Sequence, residues 1–302
     1  MYTQVFLTNI EMKTGIKIFA PGLDFSNSVE INSGVFHHSL VTQYYDEKNQ
    51  YNKNCKYEQE AFLPKNDWKP LVVNSLKTIK SNTFNKTSNT IYIGKIPMSF
   101  QTIIDEIGIN NANCEKDVFD IFRQSEKRIK EVNLLLNNFL ENLSPESYNF
   151  LSLSTNNPGC VSVSFDKKNL PLDYTFDDIK FIGLHKDSSN AQIKIHTSHK
   201  FGNRLTINLG KQSRYLLFIN LTILQIYNML IREKGVKKEK INNKNITQLF
   251  FEFFPDYPVI RIKQDPYEFY IAPTDNCIHD GSTVNTKSLD IVMTYLGHFK
   301  IQ

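Results

Sequence analysis

The sequence predicts a mainly β protein with flanking helices, arranged as a barrel or jelly roll. Short apolar runs, separated by turn residues at hairpin-like spacing, dominate residues 150–297. Helical periodicity is confined to three stretches. With 302 residues, 40% of them hydrophobic, the chain is long enough to bury a sizeable core.

The predicted strands are short and spread along the chain. In the first 110 residues they lie at 4–8, 16–19, 34–43 and 90–93, and the polar stretch 46–60 is expected to be exposed. The remaining predicted strands share a run of apolar or alternating side chains. They lie at 161–165, 180–185, 192–196, 204–209, 215–220, 259–262, 268–272 and 289–295.

The strongest helix prediction covers residues 117–143, where apolar side chains recur at helical spacing. We expect this helix to pack on a sheet, because its apolar stripe is shorter than a sustained heptad array. Two shorter helices are predicted at 221–232 and 245–254, the second with Asn245 as its N-cap. The polar, basic stretch between them is expected to be a solvated loop.

Composition and motifs exclude several classes of protein. The formal net charge of +4 is too small to demand a nucleic-acid partner. A P-loop, a Gly-x-Gly-x-x-Gly loop and a Gly-x-Ser-x-Gly elbow are all absent from the sequence. No apolar run approaches the length of a membrane span, and no secretory signal is evident. We therefore expect a cytoplasmic protein without a membrane or nucleic-acid partner.

The four cysteines do not form a metal-binding or disulfide pattern. Cys55, Cys114, Cys160 and Cys277 are far apart in sequence, and no Cys-x-x-Cys pair occurs. A zinc ribbon or a disulfide framework is therefore not expected. Cys277 is predicted to be a buried thiol.

Two short segments together contain a set of metal-ligand residues. His185 and Asp187 follow an apolar run, and His279 follows a predicted strand and a Pro-Thr-Asp-Asn turn. Because residues two apart on a strand point the same way, His185 and Asp187 can both face one cavity. Two imidazoles and a carboxylate can occupy one face of an octahedral Fe(II) and leave the other face open. We predict that these three side chains bind one metal at strand-to-loop junctions.

The order His185-x-Asp187, a β-rich interval and then His279 resembles the iron- and 2-oxoglutarate-dependent oxygenases. The stretches 203–210, 214–220 and 255–261 are also similar to bacterial members that tailor amino acids. The resemblance covers roughly residues 150–300 and implies a double-stranded β-helix, the cupin-like jelly roll. It divides a single domain of residues 1–302 into an N-terminal support region, 1–149, and a jelly-roll core, 150–300, with a helical insert at about 221–254.

The resemblance also implies a chemistry and its co-substrates. Fe(II), 2-oxoglutarate and dioxygen would act on a small-molecule substrate, either a free amino acid or a peptide. Related halogenases replace the carboxylate ligand by a small residue, so the presence of Asp187 favours hydroxylation or desaturation. Since the ligands must be deprotonated, metal binding is expected to weaken at acid pH.

The chain departs from the family in the residue that holds the distal carboxylate of 2-oxoglutarate. Many members carry an arginine about ten residues after the last histidine, where this chain has only Lys287. Others use a basic residue on a middle strand, and Arg204 and Arg214 are the candidates here. An arginine suits this role because its planar fork binds a carboxylate in bidentate fashion.

Other readings remain open. One alternative is a metal cupin that does not use 2-oxoglutarate, such as an isomerase or a cysteine-dioxygenase-like enzyme. A non-catalytic jelly-roll binding protein is a further alternative. The polar segment 188–203, which contains His196 and His199, could be a lid over the site, and the neighbouring pair His37 and His38 is expected to be structural.

Overall fold

The computed structural model describes residues 12–22, 24–46, 51–71, 73–84, 87–144, 146–189 and 192–301. This part of the chain is mainly β, with fourteen strands in three sheets and eight α-helices. The strands are β1 (Lys17–Phe19), β2 (Val29–Ile31), β3 (Val35–His37), β4 (Lys56–Pro64), β5 (Lys69–Pro70), β6 (Thr90–Lys95), β7 (Asn149–Asn156), β8 (Lys180–Gly183), β9 (Asn203–Asn208), β10 (Arg214–Thr222), β11 (Ile260–Gln264), β12 (Glu268–Ala272), β13 (Cys277–Ser282) and β14 (Asp290–Gly297).

The helices lie between the strands, and short 3₁₀ turns connect several of them. They are α1 (Phe25–Ser28), α2 (Val41–Tyr44), α3 (Val73–Ile79), α4 (Met98–Ile107), α5 (Glu115–Gln124), α6 (Glu126–Leu143), α7 (Ile223–Lys234) and α8 (Ile246–Phe253). None of the helices in the ranges described above combines the length and apolarity needed to cross a membrane.

The largest sheet has six strands in the order β1-β6-β12-β9-β14-β7. The second sheet has five strands in the order β13-β10-β11-β2-β5, and the third has β3-β4-β8. The β1–β6 and β4–β8 pairs are parallel, and the other strand pairs described are antiparallel. The N-terminal strands β1, β6 and β2 thus lie in the same sheets as strands from the C-terminal half.

Alternating side chains of the strands build a layered core. On β10, Leu216 and Phe218 face a hydrophobic cluster shared with the six-stranded sheet, which includes Ile91 and Tyr270. Leu217, Ile219 and Leu221 point to the opposite face of β10 and pack against α7 and α8. The outer face of the six-stranded sheet packs against α4, α5 and α6. Because these strands are buried on both faces, their sequences are nearly continuous apolar runs.

Side-chain and glycine signals set the ends of the best-defined helices. Thr222 caps α7 and forms a reciprocal capping box with Gln225. The same helix ends at Gly235, whose φ of 66° is accessible to glycine without a Cβ penalty. Both this helix and α8 lie where helical periodicity predicts them. Asn245 is the N-cap residue of α8, but its side chain accepts a hydrogen bond from Asn242 rather than from the helix.

The predicted helix at 117–143 is two helices, α5 and α6, separated at Ser125. The Ser125 N–H donates to Phe122 O, one residue short of α-helical spacing, so the first helix tightens and ends there. Serine favours helix ends over helix interiors, and the apolar stripe continues across the break without revealing it. The second helix packs against α4.

Several strand predictions also need correction. Residues 161–165 contribute only a single bridge, Phe165 to Phe181, and residues 192–196 form turns. Their alternating apolar side chains are buried in local clusters rather than in a sheet, which accounts for the misleading pattern. The stretch 34–43 forms a strand only as far as His37. In the polar stretch 46–60, the described residues 51–60 are half-buried or exposed, as expected, and residues 56–60 belong to β4. The strand predicted at 4–8 lies outside the described residues.

Candidate functional site

The two histidines of the predicted metal site are paired through their backbones. His185 lies just after β8, and His279 lies within β13. The N–H of each donates to the carbonyl oxygen of the other, at 3.0 Å from His185 and 2.8 Å from His279. The imidazole centroids are consequently 4.8 Å apart. Such a cross-strand pair places both rings on one side of the two segments.

Asp187 completes the group from the same side. Its backbone N–H donates to Thr274 O at 3.2 Å, which ties the segment to the turn preceding β13. Its carboxylate oxygens lie 3.7 Å from His185 Nε2 and 3.5 Å from His279 Nε2. One ligand atom from each of the three residues lies within 4.8 Å of the other two, so the group could hold a metal ion.

The outer nitrogen of each imidazole is directed at a backbone carbonyl. His185 Nδ1 lies 2.9 Å from Gly183 O, and His279 Nδ1 lies 3.4 Å from Cys277 O. A proton on Nδ1 that is donated to a carbonyl leaves the lone pair of Nε2 for a metal. Both rings are thus oriented with Nε2 toward Asp187.

Electrostatics favour an ionised Asp187 and a neutral His279. Burial alone would raise the pKa of Asp187, but His279, His185 and Arg204 together hold that pKa well below its usual range. Burial lowers the pKa of His279 to about 3, against the opposing effect of Asp187. Burial also opposes protonation of His185, yet its interaction with Asp187 and the charge of Asp280 raise its pKa.

Arg204 supplies a positive charge beside the carboxylate. Its Nε lies 2.9 Å from Asp187 Oδ2. The two atoms are not aligned as a hydrogen bond, and neither has another hydrogen-bond partner within the described ranges. A buried carboxylate oxygen without an aligned donor is unusual in a folded protein. A cation bound between the three ligands would give that oxygen the partner it lacks, so the donor set fits a metal.

The three side chains open on a cavity of about 750 Å³. Hydroxyl groups of Thr206 and Thr294, 3.3 Å apart, line it on the six-stranded sheet, where Tyr270 also contributes. Arg204 and Arg214 both reach the cavity. Arg204 and Thr206 are two residues apart on β9 and therefore lie on one face of the strand, and this face lines the cavity.

Arg214 is buried at the start of β10 and is held by an acidic partner. Its Nε lies 3.1 Å from Asp290 Oδ1, and its Nη1 donates to Gln264 Oε1 at 3.4 Å. Its Nη2 rests against Gly281, where an added Cβ would come within 2.5 Å of it. His279 and Gly281 share a face of β13 and are separated by roughly 7 Å of strand. The missing side chain of Gly281 thus lets a guanidinium reach the cavity beside the candidate ligand group.

The other residues singled out in the sequence lie away from the ligand group. Lys287 is exposed and does not line the cavity. His37 is held by Ser39 Oγ and Gln59 O through its two ring nitrogens. His196 packs edge-on against Tyr227. The segment 188–203, suggested as a lid by its sequence, includes residues 190 and 191, which lie outside the described residues. Its described parts consist of turns, a 3₁₀ helix at Ser198–Lys200 and the first residue of β9.

His279 follows β12 and a turn, as predicted, but the prediction that it lies at a strand-to-loop junction is wrong, because His279 lies inside β13. The polar residues Asp280 and Ser282 interrupt the alternation of apolar and polar side chains by which a strand is predicted from sequence. Asp280 is buried and accepts a 2.5 Å hydrogen bond from Ser162. Cys277 is fully buried, as predicted. Tyr270, Thr294 and Gly281 lack any local signal that would have linked them to the site.

Comparisons of the chain with protein-family models, with curated protein sequences and with solved structures gave no match.

Proposed function

We propose that this protein is a non-haem Fe(II)- and 2-oxoglutarate-dependent oxygenase that hydroxylates or desaturates a small polar substrate, an amino acid or a peptide. The observation that carries the proposal is the convergence of His185, Asp187 and His279 at one cavity, with ligand atoms within 4.8 Å of one another. Two imidazoles and one carboxylate on one side of a cavity favour a metal with open coordination positions.

The residues around the ligands suit this assignment. His185 Nε2, His279 Nε2 and a carboxylate oxygen of Asp187 would hold the metal. When bound, Fe(II) with 2-oxoglutarate and dioxygen supplies oxidation of an unactivated C–H bond, coupled to decarboxylation of the co-substrate to succinate. Arg204 balances the negative charge of Asp187, and the backbone carbonyls of Gly183 and Cys277 hold the imidazoles in the ligating orientation.

The strand order supports the proposal that the core is a double-stranded β-helix. One sheet contains β7-β14-β9-β12 in order. The other contains β13-β10-β11, and the His185–His279 bridge joins the end of β8 to the free edge of β13. Read along the chain from β7, successive strands alternate between these two sets, except that β10 and β11, which the helices α7 and α8 separate, lie in the same set. Each set would then contribute four strands, the number that each sheet of an eight-stranded jelly roll contains, which supports this proposal.

Arg214 is the better candidate for the distal carboxylate of 2-oxoglutarate. The charge of Arg204 is already directed at Asp187, at 2.9 Å. Arg214 instead presents Nη2 to the cavity beside Gly281, and the hydroxyl-bearing Tyr270 and Thr206 line the same cavity. An arginine flanked by hydroxyl donors is suited to a carboxylate. Asp290 orients the guanidinium and offsets part of its charge.

Succinate formation tests the proposed function. Purified protein is incubated in air with Fe(II), 2-oxoglutarate and a panel of amino acids and short peptides, and succinate is measured against an Asp187→Ala variant. Asp173→Ala, at an exposed carboxylate outside the cavity, is the matched control. We expect wild type and the control to form succinate and Asp187→Ala to form none above background, because the variant removes one of three protein ligands.

A second measurement separates the alternatives. Under anaerobic conditions, binding of 2-oxoglutarate to the Fe(II)-loaded protein should produce the weak visible absorption of the chelate. Metal binding without that absorption and without succinate would favour a metal cupin that does not use 2-oxoglutarate. Failure of wild type to bind any divalent metal would favour a non-catalytic binding protein.

A further inference from the structure

We infer that Cys55 and Cys160 form a reversible intramolecular disulfide when the protein meets a peroxide. Their sulfur atoms lie 3.5 Å apart, although the two residues are 105 positions apart in sequence. Both are thiols in the structure. A closure of roughly 1.5 Å would bring them to the length of a disulfide bond. This inference is independent of the proposed oxygenase function.

The backbone around each thiol holds the pair in contact. Cys55 ends a turn in which its N–H donates to Asn52 O, and the Asn52 N–H donates in turn to Gly159 O. On the other side, Cys160 N–H donates to Thr283 Oγ1 at 2.9 Å, and its carbonyl accepts from Thr283 N–H at 2.9 Å. The two cysteine-bearing segments are therefore hydrogen-bonded neighbours, and the sulfur contact does not depend on the side chains alone.

The two thiols differ in access, which assigns their roles. Cys160 is buried, and contact with Cys55 followed by burial raises its pKa. Cys55 is only half-buried, so of the two residues it is the more accessible to an oxidant. Cys55 is thus the thiol that attacks the oxidant, and Cys160 is the resolving thiol that attacks Cys55 afterwards.

The chemistry balances with hydrogen peroxide as the oxidant. The Cys55 thiolate attacks one peroxide oxygen, the O–O bond breaks, and one water leaves to give a sulfenic acid. The Cys160 sulfur then attacks the Cys55 sulfur, the S–O bond breaks, and a second water leaves as the S–S bond forms. Two thiols lose two hydrogens in total, and one peroxide becomes two waters. A dithiol reductant reverses the reaction by thiol–disulfide exchange.

The thiol pair packs behind the wall of the large cavity, against residues that line it. Both sulfurs lie in a hydrophobic cluster with Val163, Phe165 and Phe181, and these three residues also line the cavity. A covalent link between the two segments would therefore fix the position of this wall. Cys114, which is exposed, and Cys277, which is fully buried, lie outside the cluster and serve as internal controls.

The test is oxidation of the whole protein by hydrogen peroxide, followed by alkylation of remaining thiols under denaturing conditions and mass spectrometry. Wild type and Cys114→Ser should lose two alkylatable thiols and yield a cross-linked peptide that contains Cys55 and Cys160. Dithiothreitol should restore both thiols. In Cys55→Ser and Cys160→Ser the cross-link should be absent. Oxidised wild type should also melt at a higher temperature than reduced wild type, and Cys55→Ser should show no such shift.

Other outcomes would overturn the inference. One is oxidation of Cys55 to a sulfinic or sulfonic acid without a cross-linked peptide. Another is equal loss of thiols in wild type and Cys55→Ser, or cross-links between molecules through Cys114 alone. Should the buried substitution Cys160→Ser prevent folding, the half-buried substitution Cys55→Ser decides the matter.

Discussion

His185 and His279 are joined by two backbone hydrogen bonds, at 3.0 Å and 2.8 Å, and this pairing brings their imidazoles together. The site therefore depends on the pairing of two segments that are remote in sequence. The ring nitrogens that face the metal position are set by the carbonyls behind them, which belong to the same two segments. Substitutions that disturb this backbone pairing should consequently weaken metal binding, as substitutions of the ligands themselves should.

Substitution His279→Ala should weaken binding of Fe(II), or of Co(II) as its air-stable substitute, by more than about a hundredfold. Loss of a group that merely supports a metal ligand costs 10–100-fold, and loss of a ligand costs more. Isothermal titration calorimetry under anaerobic conditions measures the affinity of each variant for the metal. His298→Ala is the control, because His298 is half-exposed and lies near Glu146 on the surface. Equal affinities for the two variants would contradict the proposed ligand set.

Substitution Arg214→Lys should raise the apparent KM for 2-oxoglutarate by about tenfold, since an ammonium keeps the charge but loses the bidentate fork. The matched change Arg204→Lys should alter that KM much less, because Arg204 is directed at Asp187. Initial rates at varied 2-oxoglutarate concentration give both values. A larger increase for Arg204→Lys than for Arg214→Lys would reassign the carboxylate anchor to Arg204.

Substitution Asp290→Ala should lower the free energy of unfolding by about 3–5 kcal/mol, because it leaves the buried guanidinium of Arg214 unpaired. The Arg214–Asp290 pair is almost completely buried, with side-chain exposures of 4% and 4%. The exposed pair Arg123–Asp120 provides the comparison, and Asp120→Ala should change stability little. Urea denaturation of both variants tests the difference.

Substitution Gly183→Ala should disturb the site through the backbone. Gly183 has φ of +71°, and an added Cβ would lie 2.5 Å from Phe62 O. Gly235 has a similar φ of +66°, but no atom lies within 4 Å of its Cβ position. We expect a loss of about 2–3 kcal/mol of stability for Gly183→Ala and about 1 kcal/mol for Gly235→Ala. Only Gly183→Ala should also weaken metal binding, since Gly183 O holds His185.

Glu268 should make stability fall as pH rises from mildly acidic values. Burial raises the pKa of Glu268, so the folded state binds its proton more tightly than the unfolded state does. Its contribution is fully present below the usual glutamate pKa and is lost as pH rises through the higher folded-state pKa. Glu268→Gln should remove this part of the pH dependence. Free energies of unfolding for both proteins, measured from pH 4 to pH 8, should converge at the acid end.

The mainly β class, the helices α7 and α8, and three residues able to bind a metal could all be predicted from the amino-acid sequence. These features are local: alternation, helical period, capping residues and a His-x-Asp pair can all be read within a few positions. The break at Ser125 was not visible, because the apolar stripe continues across it.

The contacts between distant residues could not be predicted from the sequence, because they depend on how the strands pair and pack. The bridge between His185 and His279, the approach of Arg204 to Asp187, and the placement of Arg214 beside Gly281 all depend on strand pairing and sheet packing between distant segments. The same is true of Cys55 and Cys160, whose spacing in sequence predicts no contact. Which strands pair, and in which register, depends on the burial of whole strand faces, so it cannot be predicted from short sequence motifs.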